Sequence, residues 1–159
     1  MSKTKVAVVK EKSLGKALIA GLIGGLVATA AKTFADRMFP SHSHGEPQPS
    51  ELLAERVAGH DLTPAEKNVT TEAIHWGFGA TVGAAYGVIA EYYPAATARE
   101  GASFGLALGT LTHQGALPAL GLAAEPEKQT FVERTSEMTS HVVYGVVTET
   151  VRSFVRRFL

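Results

Sequence analysis

The stretch Ala73-Ile-His-Trp-Gly-Phe-Gly-Ala-Thr-Val-Gly-Ala-Ala-Tyr-Gly-Val-Ile-Ala90 runs for 18 residues without a formally charged side chain and has a glutamate on each side. A helix of this length spans about 27 Å at about 1.5 Å per residue, which nearly matches the hydrocarbon core of a bilayer, about 30 Å thick. Gly79, Gly83 and Gly87 recur every four residues, and small residues at that spacing leave a groove that a second helix can approach closely. The stretch therefore predicts a membrane-spanning helix that packs against protein.

An apolar run nearer the N-terminus repeats this pattern, with Gly21 and Gly25 again four residues apart. Lys16 and Lys32 flank the run and can extend their ammonium groups to the two membrane surfaces. We predict a first span over residues 17–35. The alternative is a secretory signal peptide, because a basic start and a short apolar core followed by small residues also fit a cleavage site.

A third apolar run, residues 101–124, carries Gly101, Gly105 and Gly109 at the same spacing. Pro118 interrupts it and should kink or break the helix, because proline lacks a backbone N–H and clashes with the preceding turn. The three runs together resemble a glycine zipper. We expect these glycines to pack helices within one chain, and packing between copies of the chain is the alternative.

A helix-start signal stands before the opening stretch. Thr63 can cap a backbone N–H, Pro64 suits the first helical position, and Glu66 can bond back to the cap. One helix is therefore expected from Pro64 to about Tyr92. A short helix is also expected over residues 51–58, where apolar side chains cluster at helical spacing.

The last segment, residues 130–159, is helical by pattern but less apolar than the other three. Glu137, His141, Glu149 and Arg152 interrupt its apolar face. It could lie on the membrane surface as an amphipathic helix. We favour a spanning helix whose polar residues face the interior of a bundle, since lipid-facing charges are costly.

Charge predicts the topology. The first 16 residues carry five lysines, the C-terminus carries three arginines, and the connection 36–62 is mainly acidic. Since positive loops stay in the cytoplasm, both termini are expected inside, which requires an even number of spans. We expect a single all-α membrane domain over 1–159 with four spans: a basic N-terminus 1–16, a first span 17–35, an external loop 36–62, a second helix 63–92, a third 101–124 and a fourth 130–159.

Composition excludes several functions. The chain has 159 residues, no cysteine and a formal net charge of zero. Thiol catalysis, disulfides and thiolate metal sites are therefore absent, and the charge balance gives no indication of nucleic acid as a partner. No serine, threonine or tyrosine hydroxyl has a histidine and an acidic residue at a sequence spacing that would indicate a catalytic nucleophile. We expect no enzyme activity, no cofactor and no resident metal.

Ionisable residues within the apolar segments are the candidate functional groups, because such groups are costly in lipid unless paired or hydrated. His75, His113, Glu137 and His141 should all lie towards the outer ends of their helices. Glu137 and His141 share a helix face at four-residue spacing. Towards the inner end of the last helix, two further residues form a candidate pair, Glu149 and Arg152.

The outer cluster has several possible roles. The simplest is structural, with polar side chains hydrogen-bonding between helices for about 1 kcal/mol or less each. Because histidine gains or loses a proton near neutral pH, the cluster could instead relay protons or handle ions. Three histidines and a glutamate could ligate a divalent metal, and two histidines could hold a haem. A further histidine pair, His42 and His44 in the first loop, would bind metal weakly at most.

The order of these motifs resembles the YagU-like family of bacterial inner-membrane proteins. The resemblance covers most of the chain and is carried by Gly21 to Val27 with Lys32, Tyr86 to Pro94, Gly101 to Gly109, His113, Pro118, Gly121, Ser136, Glu137, His141, Glu149 and Arg152. It implies a multi-span inner-membrane protein of unassigned function with a link to acid tolerance. It supplies no catalytic residues.

From these observations we expect a multi-pass protein of the bacterial inner membrane with a structural or interaction role in envelope or acid-stress tolerance. The alternative is a channel or transporter that handles protons or ions through the polar cluster. The expected partners are the lipid bilayer and either a second copy of the chain or another membrane protein.

Overall fold

The computed structural model describes residues 11–38 and 47–159. All regular structure in these residues is helical, as the sequence predicts. The principal helices are α1 (Leu14–Met38), α2 (Pro49–Ala58), α3 (Pro64–Tyr92), α4 (Ala102–Leu111), α5 (Leu117–Ala119) and α6 (Phe131–Phe158). Most of the basic N-terminus and the histidines at 42 and 44 lie outside the described residues.

The start of α3 is confirmed as a capping box. The Glu66 backbone N–H donates to Thr63 Oγ1 at 3.4 Å, and the Thr63 backbone N–H donates to Glu66 Oε2 at 3.0 Å. These two bonds satisfy donors that the first helical turn would otherwise leave free. The helix ends at Tyr92, just before Pro94. The predicted bounds of this helix are therefore confirmed.

A glycine seam joins α1 to α3. A Cβ atom added at Gly83 would lie 2.6 Å from the carbonyl oxygen of Gly21 and 2.7 Å from the backbone nitrogen of Gly25. A Cβ at Gly21 would in turn lie 2.8 Å from the Cα of Gly87. Only glycine permits backbones to approach this closely. Gly79 faces Thr29 across the same seam.

A second seam joins α4 to α6. A Cβ at Gly105 would lie 2.8 Å from the carbonyl carbon of His141, and one at Gly101 would lie 2.8 Å from Cβ of Glu149. A Cβ at Gly109 would lie 3.0 Å from Cγ of His141. The structure thus places all eight of the glycines predicted for helix packing at contacts between helices of one chain.

Helix α1 is central because it packs on α3 with one face and on α6 with another. A Cβ added at Gly24 would lie 2.7 Å from the carbonyl oxygen of Thr148 on α6. Helix α4 packs on the other side of α6, and α2 lies against α3. The four long helical segments therefore form one bundle.

The third apolar run ends earlier than predicted. Its helical path includes a π-helical turn, Thr112–Ala116, and stops at Ala119 rather than 124. Gly121 has a φ of 67°, its N–H donates to the Pro118 carbonyl at 2.9 Å, and the Leu122 N–H donates to the Leu117 carbonyl at 2.8 Å. These bonds form a Schellman motif, which terminates a helix. The regular helix is disrupted near Pro118, as predicted, by the π-helical turn that precedes this proline.

The connection between α3 and α4 is a 3₁₀ segment, Pro94–Gly101, that contains a sharp reversal. Arg99, Glu100 and Gly101 have φ values of 53°, 56° and 85°. A non-glycine residue in this left-handed region costs of order 1–2 kcal/mol. The reversal brings Gly101 directly onto α6, so close packing accompanies the strained backbone.

The distribution of side chains is the reverse of that in a typical water-soluble protein, in which large apolar side chains form the core. The buried apolar residues are mostly alanines, together with Tyr86, Leu122 and Tyr144. Large apolar side chains lie on the outside instead: Leu18 is 40% exposed and Phe34 is 65% exposed. The buried set also contains charged and polar residues, namely Thr29, Glu137, Ser140, His141, Thr148, Glu149, Arg152 and Arg156.

Among the described residues, α1 is the one helix that is both long enough and apolar enough on its own to cross a membrane. Helix α3 has a polar first third, the path through α4 is divided by the π turn, and α6 carries buried charges. The composition of those three segments therefore gives a weaker membrane signal than that of α1.

Candidate functional site

A cavity of about 620 Å³ lies between the helices at one end of the bundle. Its apolar lining includes Ile74, Phe78 and Leu108. Its polar lining comes from α1, α2, α3, α6 and the region from α4 to the π turn: Thr29, Lys32, Asp36, Gln48, Ser50, His75, Thr112, His113, Glu137, His141 and Tyr144. The four residues of the predicted outer cluster therefore line one cavity.

Three of those four residues meet directly. Nδ1 of His113 lies 2.6 Å from Oε1 of Glu137, and the rings of His113 and His141 are 4.8 Å apart between centroids. One ligand atom from each of His113, Glu137 and His141 falls within 4.8 Å of the others. The contact between His113 and Glu137 is close but poorly aligned, so within the described chain His113 Nδ1 has no geometrically satisfactory hydrogen-bond partner.

The position of His141 follows from the helix that carries it. Its Nδ1 lies 2.9 Å from the backbone carbonyl oxygen of Glu137, one turn earlier in α6. A carbonyl only accepts, so Nδ1 carries the proton, and Nε2 of the neutral ring keeps a lone pair. Gly109 makes room for the imidazole across the seam. The ring is thereby oriented with one nitrogen available for a ligand or a proton.

His75 stands apart from the other three. Its Nε2 lies 3.1 Å from Oγ1 of Thr33. Because the Thr33 hydroxyl already donates to the Thr29 carbonyl at 2.9 Å, it accepts from His75, which places the proton on Nε2. His75 thus lines the cavity while bonding to α1.

An ion pair on α1 adds two groups that the sequence reasoning missed. Nζ of Lys32 lies 2.8 Å from Oδ2 of Asp36, and Oδ1 of Asp36 is buried without a hydrogen-bond partner among the described residues. Lys32 was predicted only as a residue reaching the membrane surface. The four-residue spacing was a visible signal of pairing, but that the pair faces a cavity depends on how α1 packs.

Helix α2 covers part of the cavity, although its segment was predicted as an external loop with a short helix. Lys67 at the start of α3 pairs with Glu51 and with Glu55 of α2. Arg56 Nη1 donates to the carbonyl of Leu120 at 2.7 Å. These contacts hold α2 across the helices that line the cavity.

The predicted pair Glu149 and Arg152 lies in the bundle beyond the cavity. Arg152 donates from Nε to Oε2 of Glu149 and from Nη2 to Oε1, both at 2.7 Å. The Tyr86 hydroxyl donates to Oε2 of Glu149 at 2.9 Å, which links α3 to α6. Both charged residues are more than nine-tenths buried, so the pair is largely desolvated, and both carboxylate oxygens of Glu149 accept hydrogen bonds.

A second bidentate pair, which the sequence reasoning did not identify, ties the ends of three elements together. Arg156 donates to Glu91 from Nε at 2.9 Å and from Nη2 at 2.6 Å, and the Ser13 N–H donates to Glu91 at 3.0 Å. The hydrogen bonds from Arg156 lower the pKa of Glu91 to about 2, against the opposing effect of burial. Glu91 therefore stays ionised at pH values that protonate ordinary carboxylates.

Residues 26–150 match the model of a protein family described as "Protein of unknown function (DUF1440)". No curated protein and no solved structure matches the chain. The matched range includes His75, His113, Glu137 and His141.

Proposed function

The chain belongs to the DUF1440 family of proteins of unknown function, and we propose that it is a four-span membrane protein that handles protons or ions through its polar cavity. The YagU-like resemblance suggests the bacterial inner membrane as its location.

The reversed distribution of side chains supports a lipid environment around the bundle. In water, large apolar side chains are buried, because burying each contributes about 1.5–3 kcal/mol. Here Leu18, Ile19 and Leu22 of α1 point outward, while the buried face of the same helix consists of glycine, alanine and threonine. Lipid removes the penalty for outward leucines, and close packing of small residues then drives helix association.

The other helical segments are also compatible with crossing a membrane. The path from Ala102 to Ala119 is continuous through the π turn and, at about 1.5 Å per residue, is long enough to cross most of a hydrocarbon core. Helix α6 keeps Glu137, His141, Glu149 and Arg152 buried within the bundle, as intramembrane charges require. We therefore propose spans from α1, α3, α4 to α5, and α6, with both termini in the cytoplasm.

Reporter fusions test this topology. A cytoplasm-active reporter fused after Leu159 should be active, and a reporter that requires export should be active when inserted at Gly59, between α2 and α3. The charge distribution of the termini and of the first loop is the physical reason. A C-terminus that reports an external location would contradict the four-span arrangement.

The ionisable side chains that line the cavity support a role in handling protons or ions. A histidine and a glutamate that approach this closely can exchange a proton after a small reorientation, and Nδ1 of His113 lies 2.6 Å from Oε1 of Glu137. His141 and His75 present further titratable nitrogens to the same space. In a membrane protein, such a group of ionisable residues marks a candidate ion or proton pathway.

Proton flux is expected when the purified chain is reconstituted in liposomes that contain a pH-sensitive dye and carry a pH gradient. Glu137→Gln should reduce this flux to the level of empty liposomes, because an amide cannot take up the proton. His60→Asn is the matched control, since His60 lies outside the cavity and bonds only to its neighbour Asp61 among the described residues. Flux no greater than that of empty liposomes would refute the proposal, as would unchanged flux in Glu137→Gln.

A structural role in envelope or acid-stress tolerance is the second candidate. The observation that favours it is the contact of Glu91 with Arg156, because a carboxylate with a pKa of about 2 stays ionised in acid and keeps the ends of three helices joined. The flux measurement separates the two candidates. A folded chain that moves no protons would leave the structural role as the better supported one.

A further inference from the structure

The three side chains that meet in the cavity have the composition of a metal site. His113, Glu137 and His141 offer two imidazole nitrogens and one carboxylate oxygen, all within 4.8 Å of one another. Two histidines with one carboxylate form a recognised ligand set for catalytic zinc and for non-haem iron. We propose that these three residues bind a divalent transition metal ion of the zinc class. This inference rests on the proposed function in that it names an ion for the same cavity.

The distances suit a metal after small side-chain adjustments. Ligands about 2.1 Å from a tetrahedral metal lie about 3.4 Å from one another. The nitrogen of His113 and the oxygen of Glu137 are closer than this, at 2.6 Å, and the widest separation in the set is larger, at 4.8 Å. Entry of the ion would lengthen the first distance by about 0.8 Å and shorten the widest one by about 1.4 Å.

The unpartnered nitrogen of His113 is an independent indication of a ligand. Buried polar atoms nearly always have a partner, and one that lacks it calls for a bound water or ion. His113 Nδ1 is buried, lies beside a carboxylate oxygen, and forms no aligned hydrogen bond with any described residue. A metal between these two atoms would use a lone pair from each, which a misaligned N–H contact does not.

His141 is held as metal-binding histidines usually are. Such residues donate their second ring nitrogen to a carbonyl or carboxylate, which fixes the tautomer and the ring orientation. Here Nδ1 of His141 bonds to the carbonyl of Glu137 at 2.9 Å. Nε2 is therefore the ligand atom. Gly109 lies against this imidazole, where a Cβ would come within 3.0 Å of it.

The net charge of the groups that line the cavity is compatible with one divalent ion. The charged groups that line the cavity among the described residues are Lys32, Asp36 and Glu137, which sum to one negative charge when the histidines are neutral. Lys32 would repel a cation, but its ammonium group is paired with Asp36 at 2.8 Å. Three protein ligands would leave a fourth tetrahedral position for water or for an incoming ion.

Cobalt(II) binding to the detergent-purified full chain tests the proposal. We expect one Co²⁺ per chain with the visible absorption of a tetrahedral site, and stoichiometric displacement by Zn²⁺. Glu137→Gln and His141→Asn should each weaken Zn²⁺ affinity by more than about tenfold, since loss of even a second-shell group costs 10–100-fold. His75→Asn is the matched control because it removes a histidine from the same cavity but not from the ligand set.

A second control removes the histidines at 42 and 44 together and should leave binding unchanged. The proposal is overturned if the unaltered chain binds no stoichiometric Co²⁺, if His75→Asn weakens binding as much as His141→Asn, or if removal of the histidines at 42 and 44 abolishes binding. Circular dichroism of each variant verifies folding, and the result for the unaltered chain decides the matter independently of any variant. Binding without flux refutes the proposed function alone, whereas proton flux without binding refutes this inference alone.

Discussion

Replacing Gly83 by alanine should destabilise the folded bundle by about 1–3 kcal/mol, whereas the same replacement at Gly77 should stabilise it by up to about 1 kcal/mol. At Gly83 the added methyl group would lie 2.6 Å from the Gly21 carbonyl oxygen, and backbone atoms cannot move aside as a flexible side chain can. At Gly77 no described atom beyond its chain neighbours and the backbone of its own helix turn lies within 4 Å of the added group. Alanine there only improves helix propensity.

The measurement is thermal unfolding of both variants in detergent, followed by circular dichroism, with the oligomeric state determined in parallel. The opposite signs are informative because both glycines lie on one helix, six residues apart in the same apolar stretch. Equal responses would contradict the seam between α1 and α3. Dissociation of an oligomer by Gly83→Ala, with unchanged stability of the single chain, would show that the glycines pack between copies instead.

Neutralising one member of the pair Glu149 and Arg152 should be among the most damaging changes, at about 3–5 kcal/mol for either Glu149→Gln or Arg152→Met. Each single change leaves the remaining polar or charged group buried without its bidentate partner. The double variant Glu149→Leu with Arg152→Met should recover most of the loss, because it removes both buried charges together.

Tyr86→Phe is the matched comparison for this pair. It removes one hydrogen bond to Glu149 and keeps both charges, so a loss of only about 1–2 kcal/mol is expected. The same unfolding experiment measures all four variants. If the free energy of unfolding of each single variant lies within about 0.5 kcal/mol of that of the unaltered chain, the pair is hydrated. If the double variant is less stable than either single variant, the role of the pair is not electrostatic.

The local features of the fold could be predicted from the sequence. The capping residues at Thr63 and Glu66 and the proline after Tyr93 are short-range signals, and they locate α3 correctly. The end of the third run could not be placed at Ala119, because a Schellman motif at Gly121 competes with an apolar composition that continues to residue 124. The partners of each glycine also required the structure, since spacing indicates a groove but not the helix that enters it.

For the candidate site, the sequence indicated which residues lie close together but not which of them contact one another. Glu137 and His141 follow from their four-residue spacing on one helix. His113 lies in the π-helical turn, whose extra residue rotates the side chain relative to a regular helix, so its contact with Glu137 was not predictable. Asp36 was overlooked because it was assigned to a polar loop, although α1 extends beyond it to Met38.

The glycine seams also bear on how the bundle responds to temperature. Contacts between backbones and small residues draw their strength from dispersion and hydrogen bonding rather than from dehydration of large side chains. Exposure of apolar surface to water produces most of the heat-capacity change of unfolding. The stabilisation that comes from burying this surface weakens on cooling. A bundle joined at Gly21, Gly83 and Gly105 therefore has a flatter stability curve than a leucine-filled core of equal size, and it keeps its packing in the cold.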